Sequence, residues 1–555
     1  MARVGGVADP APGVARRALG QWFTPPAVVE LALALARVAG ARICDPTCGD
    51  GAFLAGALAA GARAVVGLDV DPVAAAAARA RIAGEILDGD LFAPDSAARL
   101  GPIDAIVGNP PWVKADRLPL DQRLRIEAAV AATARRHGGD VDAAIEAARY
   151  DLAAACVIQA LGLVRIGGPV VLVLSSALLD ADAAAPVWRA VASLGAVRAL
   201  IAAPAERWFA DAAVNAMVAV IERGAVADQV AVARLTTSTE AGAARLRAGA
   251  PLEAIAEVRT TGADPQAWGP ALRAPSAWFE LAAAAGPALV PLGELAAIRR
   301  GVTTGANDVF YLSRARAREL DLEAIALSPV VRSPYNGSEA QIAIDPLSTP
   351  IVALTLAPDA DLAALPRVAA YLATHAAAAE RPSLRARQPW WSLPTRPARL
   401  FLAKAYGPRF VQRLAPRPVL GDQRVYAIEP RPGVDLDALT GALNGVVTAL
   451  ALEALGRASM GHGALEWTVA DAARLPVLDV RRADEAQRMA ITAALHAMIA
   501  RPVEHVLRER ALADRAALDA ALGAIAPGLA PRLPAIWEAL CASVAQRDRW
   551  KLPAA

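Results

Sequence analysis

The sequence predicts a doubly wound α/β domain followed by a second domain of mixed α+β character, on three observations. Short apolar runs ending in an acid or a polar turn alternate with alanine-rich helical stretches through the first part of the chain. One such run, Ile103 with Ala105, Ile106 and Val107, stops abruptly at Gly108-Asn109-Pro110-Pro111-Trp112, so this strand tip is expected to be a site. At 555 residues the chain exceeds one typical core, and two or three domains are expected.

Taken in order, residues 21–26 precede a helix over 27–38, where Val28, Leu31, Leu35 and Val38 fall at helical spacing. Pro25 and Pro26 are placed to open that helix, with Thr24 as its cap. Residues 42–51 then read as a strand ending in Asp45, a loop containing Thr47, Gly49 and Gly51, and the start of a second helix. The two glycines permit close approach of a ligand to the backbone. The strand over 64–69 ends in Asp69, followed by Val70, at the spacing where a strand-end carboxylate takes ribose hydroxyls. The loop is not Gly-x-Gly-x-x-Gly, so a dinucleotide is not the natural ligand. A third strand ends near Asp88 and Asp90, where an acid can accept from an adenine amino group while Leu91 and Phe92 wall the ring.

At the strand tip, Gly108 lets the backbone turn, and two prolines fix φ and remove two donors. The Asn109 side-chain carbonyl and the Pro110 carbonyl are acceptors beside the Trp112 π-face, which suits a planar substrate carrying an amino group. An ordinary strand exit with a packing tryptophan has the same local sequence. Residues 113–149 read as polar helix with a break at Gly138-Gly139, residues 152–164 as an amphipathic helix, and residues 170–174 as a buried strand. Strands over 197–202 and 215–222 follow, the latter expected to be the last of its sheet.

The series Phe-Thr-Pro, Asp-Pro-x-Cys-Gly-x-Gly, strand-end Asp69, Asp90-Leu91 and Asn-Pro-Pro-Trp, in this order, resembles the S-adenosylmethionine-dependent DNA adenine-N6 methyltransferases of the gamma order. The resemblance implies a Rossmann-like, seven-stranded, mostly parallel sheet followed by a C-terminal α+β target-recognition domain with a helical tail. It implies that Thr24 and the 45–51 loop (Asp45, Thr47, Gly49, Gly51) hold the methionine part of the cofactor, Asp69 with Val70 the ribose, and Asp90 with Leu91 the adenine. Asn109 and Pro110 would take the target amino group, Pro111 would complete the turn, and Trp112 would stack on the flipped base. Many relatives have Tyr or Phe at that last position; Trp keeps the π-face and loses the phenol. The family also places an aromatic just before the last strand. Phe209 fits by its spacing to Val214, with Trp208 one residue away.

Formal net charge is only +2, and of the cations just three are lysine, so positive charge is nearly all arginine, which suits bidentate phosphate and guanine contacts. No run of large apolar residues marks a membrane span, no secretory leader is evident in residues 1–13, and four cysteines point to reduced thiols in a cytoplasm. Cys44 and Cys48 lack the second pair or His cluster of a metal site, so no metal is expected.

Domains are expected over residues 1–265 (methyltransferase), 285–480 (target recognition) and 481–555 (helical), with an aperiodic crossing near 260–278. Arg299, Arg300, Thr304 and Asn307, in a glycine loop leading into a strand, resemble the opening of the family's recognition domain. Trp390, Trp391, Arg396, Arg399, Lys404, Tyr406 and Arg409 interleave aromatics with cations, a pattern suited to DNA and equally to cations around a small core. Residues 422–426, 439–455 and 461–467 also follow the family order, loosely. Residues 485–525 read as alanine-rich helix, and a tail ends at Trp550.

Double-stranded DNA is the expected partner, with a separately encoded cognate restriction endonuclease and no fused nuclease. Asn-Pro-Pro-aromatic also serves enzymes that methylate a protein glutamine amide or an RNA base, and a decayed fold could serve as a non-catalytic specificity subunit. The long C-terminal region argues against the first pair, and the complete motif set argues against the last.

Overall fold

The structure, a computed structural model, describes residues 24–548 except 180–183, 205, 210–214, 333–334, 337–338, 348 and 458–464. The sequence readings at residues 21–23, Val214, 461–463 and Trp550 lie outside the described residues. The chain divides into two compact units between Arg273 and Ala274.

In the first unit, helix α1 (Pro26–Ala36) leads into β1 (Arg42–Asp45), α2 (Ala52–Ala59), β2 (Ala64–Asp69), α3 (Pro72–Arg81), β3 (Glu85–Asp88) and β4 (Ala105–Gly108). Helices α4 (Leu120–Arg136), α5 (Val141–Tyr150) and α6 (Leu152–Leu163) precede β5 (Pro169–Ser175), β6 (Gly195–Ala202), β7 (Ala216–Arg223), β8 (Gln229–Leu235) and β9 (Ala256–Gly262). The sheet order is β3-β2-β1-β4-β5-β7-β6-β8-β9. Strands β3 to β5 are mutually parallel, while β7 runs antiparallel to both neighbours. Helices on both faces explain why β2, β4 and β5 are apolar almost throughout and buried along their length. All the parallel strands therefore end at one edge, which brings Asp45, Asp69, Asp88 and Gly108 to the same side.

The first seven strands have the expected arrangement, but β7 is not the last. Strand β8 pairs in parallel with β6, and β9 returns antiparallel along β8. Strand β8 is largely buried, with Val230, Val232, Ala233 and Leu235 inside, whereas β9, at the sheet edge, is half-buried to exposed beyond Ala256. Helix α6 is also not amphipathic: ten of its residues, Leu152 to Leu161, are buried, because it packs between the sheet and the α4–α5 pair. The stretch expected to be aperiodic contains β9 and the helices Pro265–Arg273 and Ser276–Ala285, with the unit boundary between those helices.

In the second unit a short β10 (Leu289–Pro291) pairs with Pro476–Leu478. The main sheet comprises β11 (Ala296–Arg300), β12 (Tyr311–Ser313), β13 (Leu327–Val331), β14 (Ile351–Leu354), β15 (Ala398–Ala403), β16 (Arg413–Gly421) and β17 (Val425–Pro430). Its order is β11-β17-β15-β16-β13-β14-β12. The loop after Arg300 enters a short helix, Asn307–Phe310, before reaching β12, where a direct entry into a strand was expected. Helices Leu436–Asn444 and Val446–Leu455 share one core with Glu485–Ile499, Ala513–Gly523 and Leu533–Asp548, so the residues after 480 build the same body as those before it. Among the described residues no single helix is long and apolar enough to cross a membrane.

Candidate active site

The loop after β1 is organised by two carboxylates. Asp45 accepts from the Thr47 N–H (3.1 Å), and Asp69 accepts from Gly49 N–H (2.7 Å) and Asp71 N–H (2.8 Å). The Cys48 N–H donates to the Leu68 carbonyl, so the loop lies across the end of β2. Gly49 and Gly51 hold φ values of +54° and +79°, which side chains with a Cβ resist. A Cβ on Gly49 would meet nothing within 4 Å, so open space lies over the loop.

Burial pushes the Asp45 carboxyl up to about 8, with the charges of Asp69 and Asp50 adding to it against the Thr47 hydrogen bond. Burial also raises Asp69, opposed by its backbone donors. Burial thus disfavours the charged form of both carboxyls, and of Asp45 the more. Further along, Asp90 accepts from the Phe92 N–H (2.9 Å), Leu91 is buried, and Val70 is exposed beside Asp69. Arg125 on α4 places Nη1 at 3.6 Å from Asp90 Oδ2, which brings that helix beside the third acid.

The catalytic candidate joins this loop through Gly108. A Cβ there would stand 2.6 Å from Asp45 Oδ1, so only glycine lets β4 end against that carboxylate. Asn109 follows, half-buried, and its Nδ2 donates to Thr24 Oγ1 at 3.1 Å. This corrects the expected cap: α1 has Pro25 at its N-cap and no side-chain cap bond, and the Thr24 hydroxyl serves Asn109 instead. The bond fixes which way the amide faces, turning the carbonyl oxygen away from Thr24.

Pro110 is buried, and Pro111 and Trp112 are half-buried. The Trp112 and Phe209 rings meet edge to face, centroids 5.1 Å apart at 74°. Trp208 points elsewhere: its Nε1 donates to Thr239 Oγ1 (2.8 Å), and Thr239 is in turn held by Glu206. The geometry thus separates two aromatics that spacing alone left interchangeable.

Sequence reasoning missed the anchorage of the segment behind Trp112. Leu152 N–H donates to the Val113 carbonyl, and Lys114 Nζ lies 3.4 Å from Asp151 Oδ2 and 3.5 Å from the Tyr150 ring centroid. Asp151 also caps α6 by accepting from the Ala153 N–H. The available signal was a rare lysine followed, much later, by an acid at a helix start.

In the second unit the expected DNA-contacting residues are scattered in function. Arg299 pairs with Glu429 (2.7 Å), and Lys404 with Glu466 (2.9 Å). Arg300 and Asn307 are exposed, and Arg409 is half-buried. Thr304 is a correction: it is buried and donates to Asn307 Oδ1 (2.6 Å), so it holds a turn. Trp390 and Trp391 pack on a small core, with Trp390 edge-on to Phe310, and Tyr406 is buried with its hydroxyl donating to Gln412. Among the described residues no cluster of His, Cys, Asp and Glu is arranged to hold a metal.

Parallel strands ending in acids, a glycine loop, and an Asn-Pro-Pro-Trp tip together define a methyltransferase domain carrying a C-terminal partner unit. Residues 12–245 match the N-6 DNA Methylase family, and residues 280–511 match the C-terminal domain of the type II methyltransferase M.Eco57I; the chain belongs with these restriction-modification methyltransferases.

Among solved structures, the type IIL restriction-modification enzyme MmeI, solved in complex with DNA, is similar at 14% identity and a TM-score of 0.52 over 96% of this chain and 73% of that one. The type IIG restriction endonuclease BpuSI is similar at 12% identity and a TM-score of 0.48 over 94% and 68% of the two chains. At these identities the likeness is one of fold. No curated protein matches by sequence.

Proposed function

We propose that the chain transfers a methyl group from S-adenosylmethionine to N6 of an adenine flipped out of duplex DNA, as an enzyme of the gamma order in a restriction-modification setting. Its expected companion is a separately encoded endonuclease, and its expected compartment is the cytoplasm. The observation that carries this reading is Asn109 at the end of β4, its amide oriented by Thr24 and its backbone seated on Asp45 through Gly108. The DNA-bound state of MmeI, which shares the fold, supports duplex DNA as the substrate.

The donor set suits the cofactor. Open space over Gly49 admits a ligand against the loop, Asp69 stands at the end of β2 where ribose hydroxyls are taken, and Asp90 with buried Leu91 can hold an adenine edge. When bound, S-adenosylmethionine supplies a methyl group already activated on a sulfonium.

The protein's own work is positioning. The adenine amino nitrogen is a weak nucleophile because its lone pair is delocalised into the ring. The Asn109 side-chain carbonyl and the Pro110 carbonyl accept its two hydrogens and favour a tetrahedral, more electron-rich nitrogen. Holding the two reactants in line supplies about 7 to 11 kcal/mol of the barrier. Flipping costs a few kcal/mol, and stacking on Trp112 returns about 1 to 3 kcal/mol.

Asn109→Ala removes one of two acceptors. Methyl transfer from labelled cofactor to duplex DNA is expected to fall by about a hundred- to a thousandfold, with cofactor affinity nearly unchanged. Near-normal transfer in the mutant would remove Asn109 from the chemistry.

A further inference from the structure

Resting on the duplex-DNA reading above, we propose that Arg332 and Arg424 form a guanine-reading pair in the C-terminal unit, aligned by the buried carboxylate of Asp422.

Four segments converge on Asp422: the end of β11, the start of β12, the end of β13, and the turn joining β16 to β17. The Asp422 N–H donates to the Val331 carbonyl, and the Asp422 carbonyl accepts from the Val425 N–H (3.0 Å), which closes the turn. The loop after β11 presses against it: Gly301 N–H donates to Val425 O and Val302 N–H to Gly421 O (2.7 Å). A Cβ on Gly301 would stand 2.1 Å from the Asp422 carbonyl oxygen, so that approach needs glycine.

The Asp422 side chain, 2% exposed, takes three donors: Arg424 N–H (2.8 Å), Arg424 Nε (3.2 Å) and Arg332 Nε (3.4 Å). The Arg332 guanidinium also lies over the Tyr311 ring, 4.7 Å from its centroid. Both arginines thus bind the carboxylate through Nε. No hydrogen bond among the described residues engages their Nη atoms, and the side chains remain 28% and 53% exposed. Gln423, between the arms of this turn, accepts from exposed Arg300 at 3.5 Å.

An arginine clamped at Nε has its terminal fork held in one direction, which is what a bidentate contact to guanine O6 and N7 requires. A phosphate can also take such a fork, but attraction to the backbone rests chiefly on net positive charge. Setting a buried carboxylate between two arginines lowers local charge while fixing geometry, a poor design for backbone attraction and a good one for reading a base edge.

The test is selection of duplexes from a randomised pool by the full chain, followed by sequencing, for wild type, Arg424→Ala, Arg332→Ala and Asp422→Asn. The wild type is expected to enrich a motif containing guanine. Each arginine variant is expected to lose about ten- to a hundredfold of the preference at one guanine while the rest of the motif persists. Asp422→Asn, whose buried side chain cannot reach DNA, should blur the same positions. Thermal unfolding and cofactor binding serve as folding controls, and Arg424→Gln, which keeps a polar side chain at this half-exposed position, repeats the test with a fork of different preference.

If the variants enrich the wild-type motif with unchanged weights, the pair reads nothing. A uniform loss of affinity with an unaltered motif and a salt slope reduced by about one would make them phosphate contacts and overturn the proposal. If the wild type enriches no duplex at low salt, the DNA reading itself falls, a result distinct from either.

Discussion

Thr24 illustrates how a single contact adds a role to a residue. By resemblance it belongs with the methionine part of the cofactor, and by local sequence it is a helix cap. The hydroxyl caps no helix and accepts from Asn109, 85 positions away. Loss of one neutral hydrogen bond costs about 0.5 to 1.5 kcal/mol, so Thr24→Ala should lower kcat by about three- to tenfold with little change in cofactor affinity, and Thr24→Ser should recover it. A loss confined to cofactor binding would return Thr24 to its expected role. Asp45 makes a different prediction. Its folded carboxyl is raised from 3.8 to about 8 chiefly by burial, so the protonated form is the one folding favours. That contribution is complete below about pH 4 and is lost as pH rises toward 8. Asp45→Asn, which keeps an acceptor for Thr47 and never ionises, should therefore gain stability relative to wild type between pH 5 and 8.5. The gain is a few kcal/mol at most, at about 1.4 kcal/mol per pH unit. Thermal unfolding at several pH values measures it, and parallel curves for the two proteins would refute the assignment.

Strand ends and the loops after them carry the site, and they were the most legible part of the sequence. Strands β1, β2 and β4 announce themselves as short apolar runs, and the acid, glycine and proline residues that stop them are those of the candidate site. Relations between elements were not legible. Nothing local shows that Trp208 is committed to Thr239, which leaves Phe209 to face Trp112. Strands β8 and β9 escaped notice, and β9, an edge strand half-buried to exposed beyond Ala256, resembles polar surface. In the second unit, interleaved arginine and aromatic residues did not distinguish core from surface, and Tyr406 and Thr304 proved buried. Two glycines at strand ends test the site at this scale. Gly108→Ala puts a Cβ 2.6 Å from Asp45 Oδ1, so β4 must shift, at a cost of about 1 to 3 kcal/mol, and Asn109 moves with it. Gly49→Ala meets no neighbour within 4 Å and carries only the strain of its φ of +54°, about 1 to 2 kcal/mol. Both variants should unfold at lower temperature. Gly49→Ala should chiefly weaken cofactor binding, and Gly108→Ala chiefly slow methyl transfer. Identical kinetic profiles for the two would mean that the loop and the strand tip do not play separate parts.

At the scale of the whole chain, the C-terminal helices are part of the second unit's core, and buried charges fasten them there. Helix Leu533–Asp548 contributes Ile536, Leu540 and Val544 to the core shared with Val446–Leu455. On its last turn Arg547 donates to both oxygens of Glu453 (3.0 and 2.9 Å) and to the Gly407 carbonyl (3.1 Å). Both side chains are almost fully buried, at 6% and 5% exposure. Burial raises the Glu453 carboxyl while Arg547 draws it down. A pair of this kind gains little over an apolar replacement, because two desolvated charges cancel most of their attraction, whereas removing one partner strands the other charge. Arg547→Ala should therefore destabilise the C-terminal unit by about 3 to 5 kcal/mol. Joint replacement of Glu453 and Arg547 by leucine should recover most of that loss. Urea unfolding of the full chain, compared among wild type, single and double variants, gives both numbers. A single mutant costing less than about 1 kcal/mol would mean that water reaches Glu453, and a double mutant as unstable as the single would show that the pair holds the helix through directed hydrogen bonds, including the one to Gly407, that apolar packing cannot replace.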